Sequence, residues 1–124
     1  VLIPDFKGNA DALQTVLDAA PDVLNHNIET VRRIFKAVRP QGNYDRTLEL
    51  LERAKRLAPN IPTKSGFMVG LGETTAEIFD TMRDLRATGV DFVTIGQYLQ
   101  PSKDHALVVE YIAPERYDGS VRCV

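Results

Sequence analysis

The sequence predicts an α/β fold of parallel strands with covering helices. Three observations predict it. Short apolar runs alternate with stretches whose apolar residues recur at helical spacing. Each apolar run is followed by a cluster of polar residues and glycines. The order strand, helix, strand, two helices, strand, helix, strand is the signature of parallel βα units. A complete βα barrel takes ~250 residues. With 124 residues, the chain has the length of about half a barrel or of a small open sheet. A chain of this size buries roughly two-thirds of its unfolded surface, enough for a core without staples.

The first apolar run, Val1-Leu2-Ile3-Pro4, has no starting Met and no cap ahead of it, so the chain is expected to begin mid-protein. Asn9 can cap a first helix carrying Ala10, Leu13, Val16, Leu17 and Ala20, which Pro21-Asp22 breaks. Residues 23–27 read as a short buried strand with a polar end. A second helix places Val31, Ile34, Phe35 and Val38 on one stripe, with Arg32, Arg33 and Lys36 outside it; Arg39-Pro40-Gln41-Gly42 stops it. Asn43 or Asp45 can cap a third helix to about Ala58, with Leu50, Leu51, Ala54 and Leu57 inward and Glu49/Arg53 and Glu52/Arg56 at i,i+4 spacing. Thr63 to Val69 reads as a strand. Thr74 with Glu77 forms a capping box for a helix on Ile78, Met82 and Leu85, and Gly89 is its stop. Phe92 to Ile95 is nearly continuous in apolar and β-branched residues, as expected of a strand covered on both faces. Beyond Pro101 the chain reads as irregular, with a short strand at Val108 to Ile112 and a helix start at Pro114.

Composition removes several function classes. The chain is 44% hydrophobic and 26% charged, with 15 Lys plus Arg against 17 Asp plus Glu. A net charge of −2 carries no basic footprint for nucleic acid. No apolar run approaches the ~20 residues needed to cross a bilayer, so no membrane association is expected. Cys123 is the one cysteine, which excludes a disulfide framework or a multi-thiolate metal site made by this chain alone, and no metal-binding residue is proposed. The chain reads as cytosolic or organelle-matrix material.

In parallel α/β folds ligands bind at the carboxyl ends of strands. Four polar clusters occupy such places: Asp5-Phe6-Lys7-Gly8, Asn25-His26-Asn27-Ile28-Glu29, Gly70-Leu71-Gly72-Glu73-Thr74 and Gly96 to Pro101. Glycines at 66, 70 and 72 either leave room for a flat ligand or serve only a tight strand-to-helix turn. They do not form a phosphate loop, because the Lys-Ser/Thr ending is missing and an acid stands where the anion would sit. His26 is read as a hydrogen-bonded strand-end residue in preference to a metal ligand. Asn27 and Glu29 offer directional acceptors for a ribose or an ammonium group, and Glu29 equally suits a first helical turn. Lys64, inside an apolar strand, needs an anionic partner or a wet cavity. Nothing forms a Ser-His-Asp arrangement, and Ser65 lacks the glycines of a nucleophile elbow.

Read in order, these clusters resemble the C-terminal half of the lipoyl synthase family, which uses radical S-adenosylmethionine chemistry. The resemblance rests on Val1 to Phe6, His26 to Val31, Val38-Arg39-Pro40, Thr63 to Thr74 and Gly96 to Ser102, and spans 1–117; the tail 118–124 diverges. It implies the C-terminal portion of a partial (βα)6 TIM-type barrel. It also implies insertion of two sulfur atoms at C6 and C8 of an octanoyl chain on a lipoyl domain or on the glycine cleavage H protein. The cofactors implied are S-adenosylmethionine, cleaved to a 5′-deoxyadenosyl radical, and two 4Fe-4S clusters, one of them donating sulfur. An electron donor such as ferredoxin or flavodoxin and a cytoplasmic location follow, or a mitochondrial or plastid matrix in a eukaryote.

Carried over by position, the resemblance assigns Asn27, Glu29, Gly66, Met68, Gly70, Glu73, Gln97, Tyr98 and Gln100 to the cosubstrate, and Arg39, Tyr44 and Lys64 to the acyl or lysyl approach. No catalytic residue is assigned within the chain. The family's two cysteine triads and its closing Arg-Ser-Ser-Tyr motif are not in this sequence, so the chain alone is expected to hold no cluster and to be silent by itself. Two other readings share the fold: a non-catalytic module that completes another polypeptide's barrel, and a different radical S-adenosylmethionine enzyme.

Overall fold

A computed structural model describes residues 1–112. Its centre is a three-stranded parallel sheet of β1 (Leu24–Asn25), β2 (Thr63–Val69) and β3 (Phe92–Gln97), in that order. Around it lie α1 (Ala10–Asp18), α2 (Arg32–Val38), α3 (Tyr44–Leu57) and α4 (Thr75–Ala87), preceded by a 3-10 turn at Phe6–Gly8. Lys64 pairs with Phe92, Gly66 with Thr94 and Met68 with Gly96, so neighbours across β2 and β3 share a face.

The helix boundaries follow from their caps. The Asn9 side chain accepts from the amides of Asp11 and Ala12 and starts α1. Of the two candidates for α3, Asn43 is the cap and accepts from the Arg46 amide at 2.9 Å. Thr74 and Glu77 form the full capping box of α4. Gly89, at φ +80°, follows its end with its amide on the Arg86 carbonyl. The expected pairs Glu49/Arg53 and Glu52/Arg56 do not form among the described residues. Arg53 reaches the Gly8 carbonyl, and Lys55, on the same helix, binds Asp91 at 2.8 Å.

Three strand expectations need correction. The first apolar run is not a fourth strand but a single parallel bridge, Leu2 to Asn25, because the Ile3 carbonyl, the next acceptor of the ladder, is taken by the His26 ring at 2.8 Å. The strand expected at 23–27 shrinks to Leu24–Asn25, because an extra residue bulges out. Counting from Asn25–Lys64 puts Ile28 opposite Phe67, yet Glu29 takes that place, at φ +71°. The displaced Ile28 amide is recovered by Ser65 Oγ at 3.2 Å, which explains a buried serine in this strand. Residues 108–112 form no strand; the Val109 and Glu110 amides both reach the Gly70 carbonyl, and the Ile112 amide binds the Gln97 side chain. The expected helix start at Pro114, the tail 118–124 and Cys123 lie outside the described residues.

All helices pack on one side of the sheet. Phe67 and Val69 of β2 join Ile28, Phe35, Tyr44, Leu51 and Leu85 in the main core, with Val93 and Ile95 of β3 against it. A second cluster, Ile3, Leu13, Leu17, Leu24, Leu50 and Ala54, joins α1 to α3. Among the described residues no helix lies over the opposite face. β3 therefore alternates, with Phe92 55% exposed, instead of being covered twice over as its composition suggested. The result is an arc of a βα barrel with its inner face bare.

Candidate functional site

The bare face and the carboxyl ends of the strands carry most of the expected site residues. At position 66 a Cβ would stand 2.6 Å from Thr94 Oγ1 and 3.3 Å from Asn27 Oδ1, so any side chain there must displace Thr94. The Asn27 oxygen, the Thr94 hydroxyl and the Gly66 backbone thus meet at one spot on the inner face. Asn25 adds a buried side-chain oxygen with no hydrogen-bond partner among the described residues.

Asn27 and Glu29 also line a cleft of about 620 Å³ between the end of the first apolar run, the end of β1 and the α2–α3 connection. Its floor is apolar, from Leu2, Ile3 and Phe35, and its walls carry Asp5, Lys7, Arg39 and Arg46. Glu29 sits at the bulge with its backbone fully bonded, its amide to Gly66 O and its carbonyl from the Met68 amide at 2.8 Å. Its carboxylate accepts from Arg39 Nη1 at 3.0 Å. Asp5 accepts from Arg46 at 3.1 Å. Burial raises the Asp5 pKa, but the Lys7 amide and Arg46 outweigh it and hold the group below its ordinary value. His26 forms the cleft's buried side, with Nδ1 donating to the Ile3 carbonyl at 2.8 Å and Nε2 3.1 Å from Thr47 Oγ1. Both ring nitrogens are therefore occupied, as the hydrogen-bonded reading expects.

The glycine loop after β2 is tied by its own acid. Glu73 accepts from the Gly70 amide at 2.5 Å and from the Leu71 amide at 2.9 Å, filling the place an anion would take. Gly70 lies at φ +100°, and a side chain there would collide with the Gln97 amide. Gln97 donates to Glu110 O at 3.1 Å and accepts from the Ile112 amide at 2.9 Å. Tyr98 is buried with Val31, Ile34 and Leu71 and donates to Ala106 O at 2.9 Å; Gln100 donates to His105 O. These three side chains fasten the returning segment 102–112 to the end of β3. Met68 packs against the Tyr98 cluster.

Two expected residues stand apart. Lys64 is near the amino end of β2, level with Asn25 and Phe92, and forms no ion pair among the described residues. Tyr44 lies in the helical layer with its hydroxyl 3.0 Å from Asp84 Oδ2, its ring edge-on to Phe35 and Arg32 4.2 Å above it. Burial raises its pKa to about 12. Sequence reasoning gave no role to Arg46 or Arg33. It also missed that Phe6 and Lys7 adopt φ of +48° and +51°; the following Gly8 was the one hint of a left-handed turn.

The Radical SAM superfamily profile matches residues 1–85. The chain belongs to the radical SAM superfamily. It is 59% identical over 117 residues to the lipoyl synthase of Rubrobacter xylanophilus, covering 94% of this chain and 36% of that protein. It is 58% identical over 118 residues to that of Symbiobacterium thermophilum, covering 95% and 37%. It is 56% identical over 124 residues to that of Staphylococcus aureus strain Newman, covering 100% and 40%. The similarity falls on the C-terminal half of those proteins, and the chain spans somewhat over a third of their length.

Membership of this superfamily implies S-adenosylmethionine and iron–sulfur clusters. The inner face fits the former: Asn27, Thr94 and the unpartnered Asn25 oxygen are acceptors for ammonium or hydroxyl donors, and Gly66 leaves room beside them. The described residues do not fit a cluster, since no group of three or more His, Cys, Asp or Glu among them could hold a metal. No helix among them is long and apolar enough to cross a membrane.

Proposed function

We propose that this chain is the C-terminal half-barrel of a lipoyl synthase, and that its inner face and strand ends hold S-adenosylmethionine against a protein-bound octanoyl chain. The observation that carries this reading is the similarity of 55–59% to lipoyl synthases along 94% or more of the chain. When bound, S-adenosylmethionine supplies the carbon radical that removes hydrogen from an unactivated chain.

The chain's own residues would then act by position. The Asn27 oxygen accepts from the ammonium or ribose end. Gly66 keeps the floor low enough for close approach, and Met68 offers an apolar wall. Glu73 occupies the loop amides itself, so it fixes the shape of Gly70 to Gly72 and does not reach for the ligand. Gln97, Tyr98 and Gln100 hold the return segment, which presents the strand-end backbone to the adenine. Glu29 orients Arg39 at the cleft wall, and the apolar floor beside it suits an acyl chain. Tyr44 supports this site from the helical layer, and Lys64 marks its lower rim.

Under the same reading the partners are an octanoylated lipoyl domain or glycine cleavage H protein and a ferredoxin or flavodoxin, in the cytoplasm. Cluster ligation falls to residues other than those described here. The test is anaerobic reconstitution of the full-length protein with iron and sulfide, followed by turnover with S-adenosylmethionine, reductant and an octanoylated carrier. Mass spectrometry should show two sulfur atoms replacing two hydrogens on the carrier. Formation of 5′-deoxyadenosine without sulfur insertion would point to a different radical enzyme, and neither product to a barrel-completing module.

A further inference from the structure

Arg33 leaves the first turn of α2 and crosses to the loop that follows β2. Its Nε donates to Glu77 Oε1 at 2.6 Å, and its Nη2 donates both to Glu77 Oε2 at 3.1 Å and to the Gly72 carbonyl at 2.8 Å. Glu77 is already the reciprocal member of the α4 capping box and accepts from the Thr74 amide at 2.8 Å. One guanidinium therefore joins α2, the α4 cap and the backbone of the glycine loop. Beneath it, Val31 and Ile34 of the α2 end pack on Leu71 and Tyr98.

Those apolar contacts set the distance between α2 and the loop, but they are non-directional and do not orient a carbonyl. Gly70 and Gly72, at φ +100° and +93°, hold backbone conformations that side chains rarely adopt, and glycine itself does little to fix them. Glu73 restrains the first part of the loop through the amides of Gly70 and Leu71. At Gly72 the side-chain restraint comes from Arg33. A planar fork that makes two bonds to a carboxylate and a third to a carbonyl cannot be copied by the point charge of a lysine.

We infer that Arg33 is a positioning residue that pre-organises the Gly70–Glu73 loop for S-adenosylmethionine. The inference rests on the functional reading above. Without the fork the loop must be ordered when the ligand arrives, and affinity falls by that ordering cost. The Arg33 side chain is 59% exposed, so its pair with Glu77 adds little to global stability, and the effect belongs to binding.

The experiment uses the full-length, cluster-reconstituted protein with Arg33→Met and Arg33→Lys. Three readouts are taken: equilibrium binding of S-adenosylmethionine, thermal midpoint, and hydrogen exchange of the Gly70 to Gly72 amides. Arg33→Met is expected to weaken binding about tenfold, equivalent to about 1.4 kcal/mol. Arg33→Lys should weaken it a few fold. In both, the loop amides exchange faster while the midpoint moves by only a few degrees. Unchanged affinity in both variants, with the parent protein binding, overturns the inference and leaves the functional reading standing. A collapsed midpoint in both variants makes Arg33 a fold element and likewise overturns it. If the parent protein binds no S-adenosylmethionine, the functional reading fails first, while the exchange of the loop amides still reports on the clamp.

Discussion

The two faces of the same sheet obey different rules. On the helix side, Ser65, Phe67, Val69, Val93 and Ile95 are large or internally bonded, and three of the four helices contribute to the cluster that covers them. On the inner side, Gly66, Gly96 and Thr94 are small, Asn27 is polar, and Leu2 and Phe92 are 67% and 55% exposed. One face is specified by packing and the other by what must approach it, so a substitution should register in folding on the first and in binding on the second. The largest test is Leu85→Ala in α4, which empties a fully buried position in the main core. It should cost about 2–5 kcal/mol in denaturant unfolding. A smaller loss than Phe92→Ala on the bare face would reverse the comparison.

Gly66→Ala probes the bare face where it is tightest. Its Cβ would lie 2.6 Å from Thr94 Oγ1 and 3.2 Å from Thr94 O, so about 1–3 kcal/mol of overpacking is expected along with weakened S-adenosylmethionine binding. Adding Thr94→Ala removes the closer of those two atoms. Most of the lost stability should return in the double variant, while binding does not, because the Thr94 hydroxyl is gone as well. Simple additivity of the two stability losses would show that the contact does not exist in solution.

Legibility in the sequence divides along the same line. Caps were readable because they are local: Asn9, Asn43 and the Thr74/Glu77 pair carry their signal within four residues, and the bounds of β2 were readable as a run between breakers. The bulge at Glu29 was not, because it is a relation between Ile28 and Ser65, 37 residues apart. Nor was the bare face of β3, since Phe92-Val93-Thr94-Ile95 has the same composition whether one side or both are covered. In the site, the glycine at 66 and the self-satisfied acid at 73 were visible as residue types. The use of Gln97 as a tie for residues 110–112, the depth of Tyr44 in the helical layer and the reach of Arg33 depend on tertiary distances that no local pattern encodes.

The rim between the two faces, at the α4 cap, should respond to acid. The fork from Arg33, and then the Thr74 amide, hold the Glu77 carboxyl down to about 2, against an ordinary value of 4.5. A depressed folded-state value means that the contribution is complete above pH 4.5 and is lost as pH falls toward about 2. Asp91 acts in the same direction: burial raises it, but Lys55 and the Thr63 amide lower it further. Because Arg33 is 59% exposed and water screens its pair with Glu77, the thermal midpoint should fall through this window by only a few degrees. Glu77→Gln should lie below the parent protein at neutral pH and converge with it near pH 2. Parallel curves across that range would mean that the fork does not form in solution.

The smallest expected effect lies on the solvent side of α4, where Asp80 and Arg83 pair at 2.7 Å with side chains 68% and 74% exposed. Each belongs to neither face of the sheet. Water screens the pair, and holding two long side chains in one geometry consumes most of the Coulomb gain. Arg83→Ala should change unfolding free energy by less than about 0.5 kcal/mol. It should leave S-adenosylmethionine affinity where it was, in contrast to Arg33→Met at the other end of the same charged surface. The two arginines have similar exposure, 59% and 74%. What separates them is that Arg33 ends on a glycine carbonyl of the loop and Arg83 ends on its own helix. If both substitutions weakened binding equally, the surface charge of α2 and α4 together would be steering the ligand, and the distinction between a clamp and a solvated pair would fall.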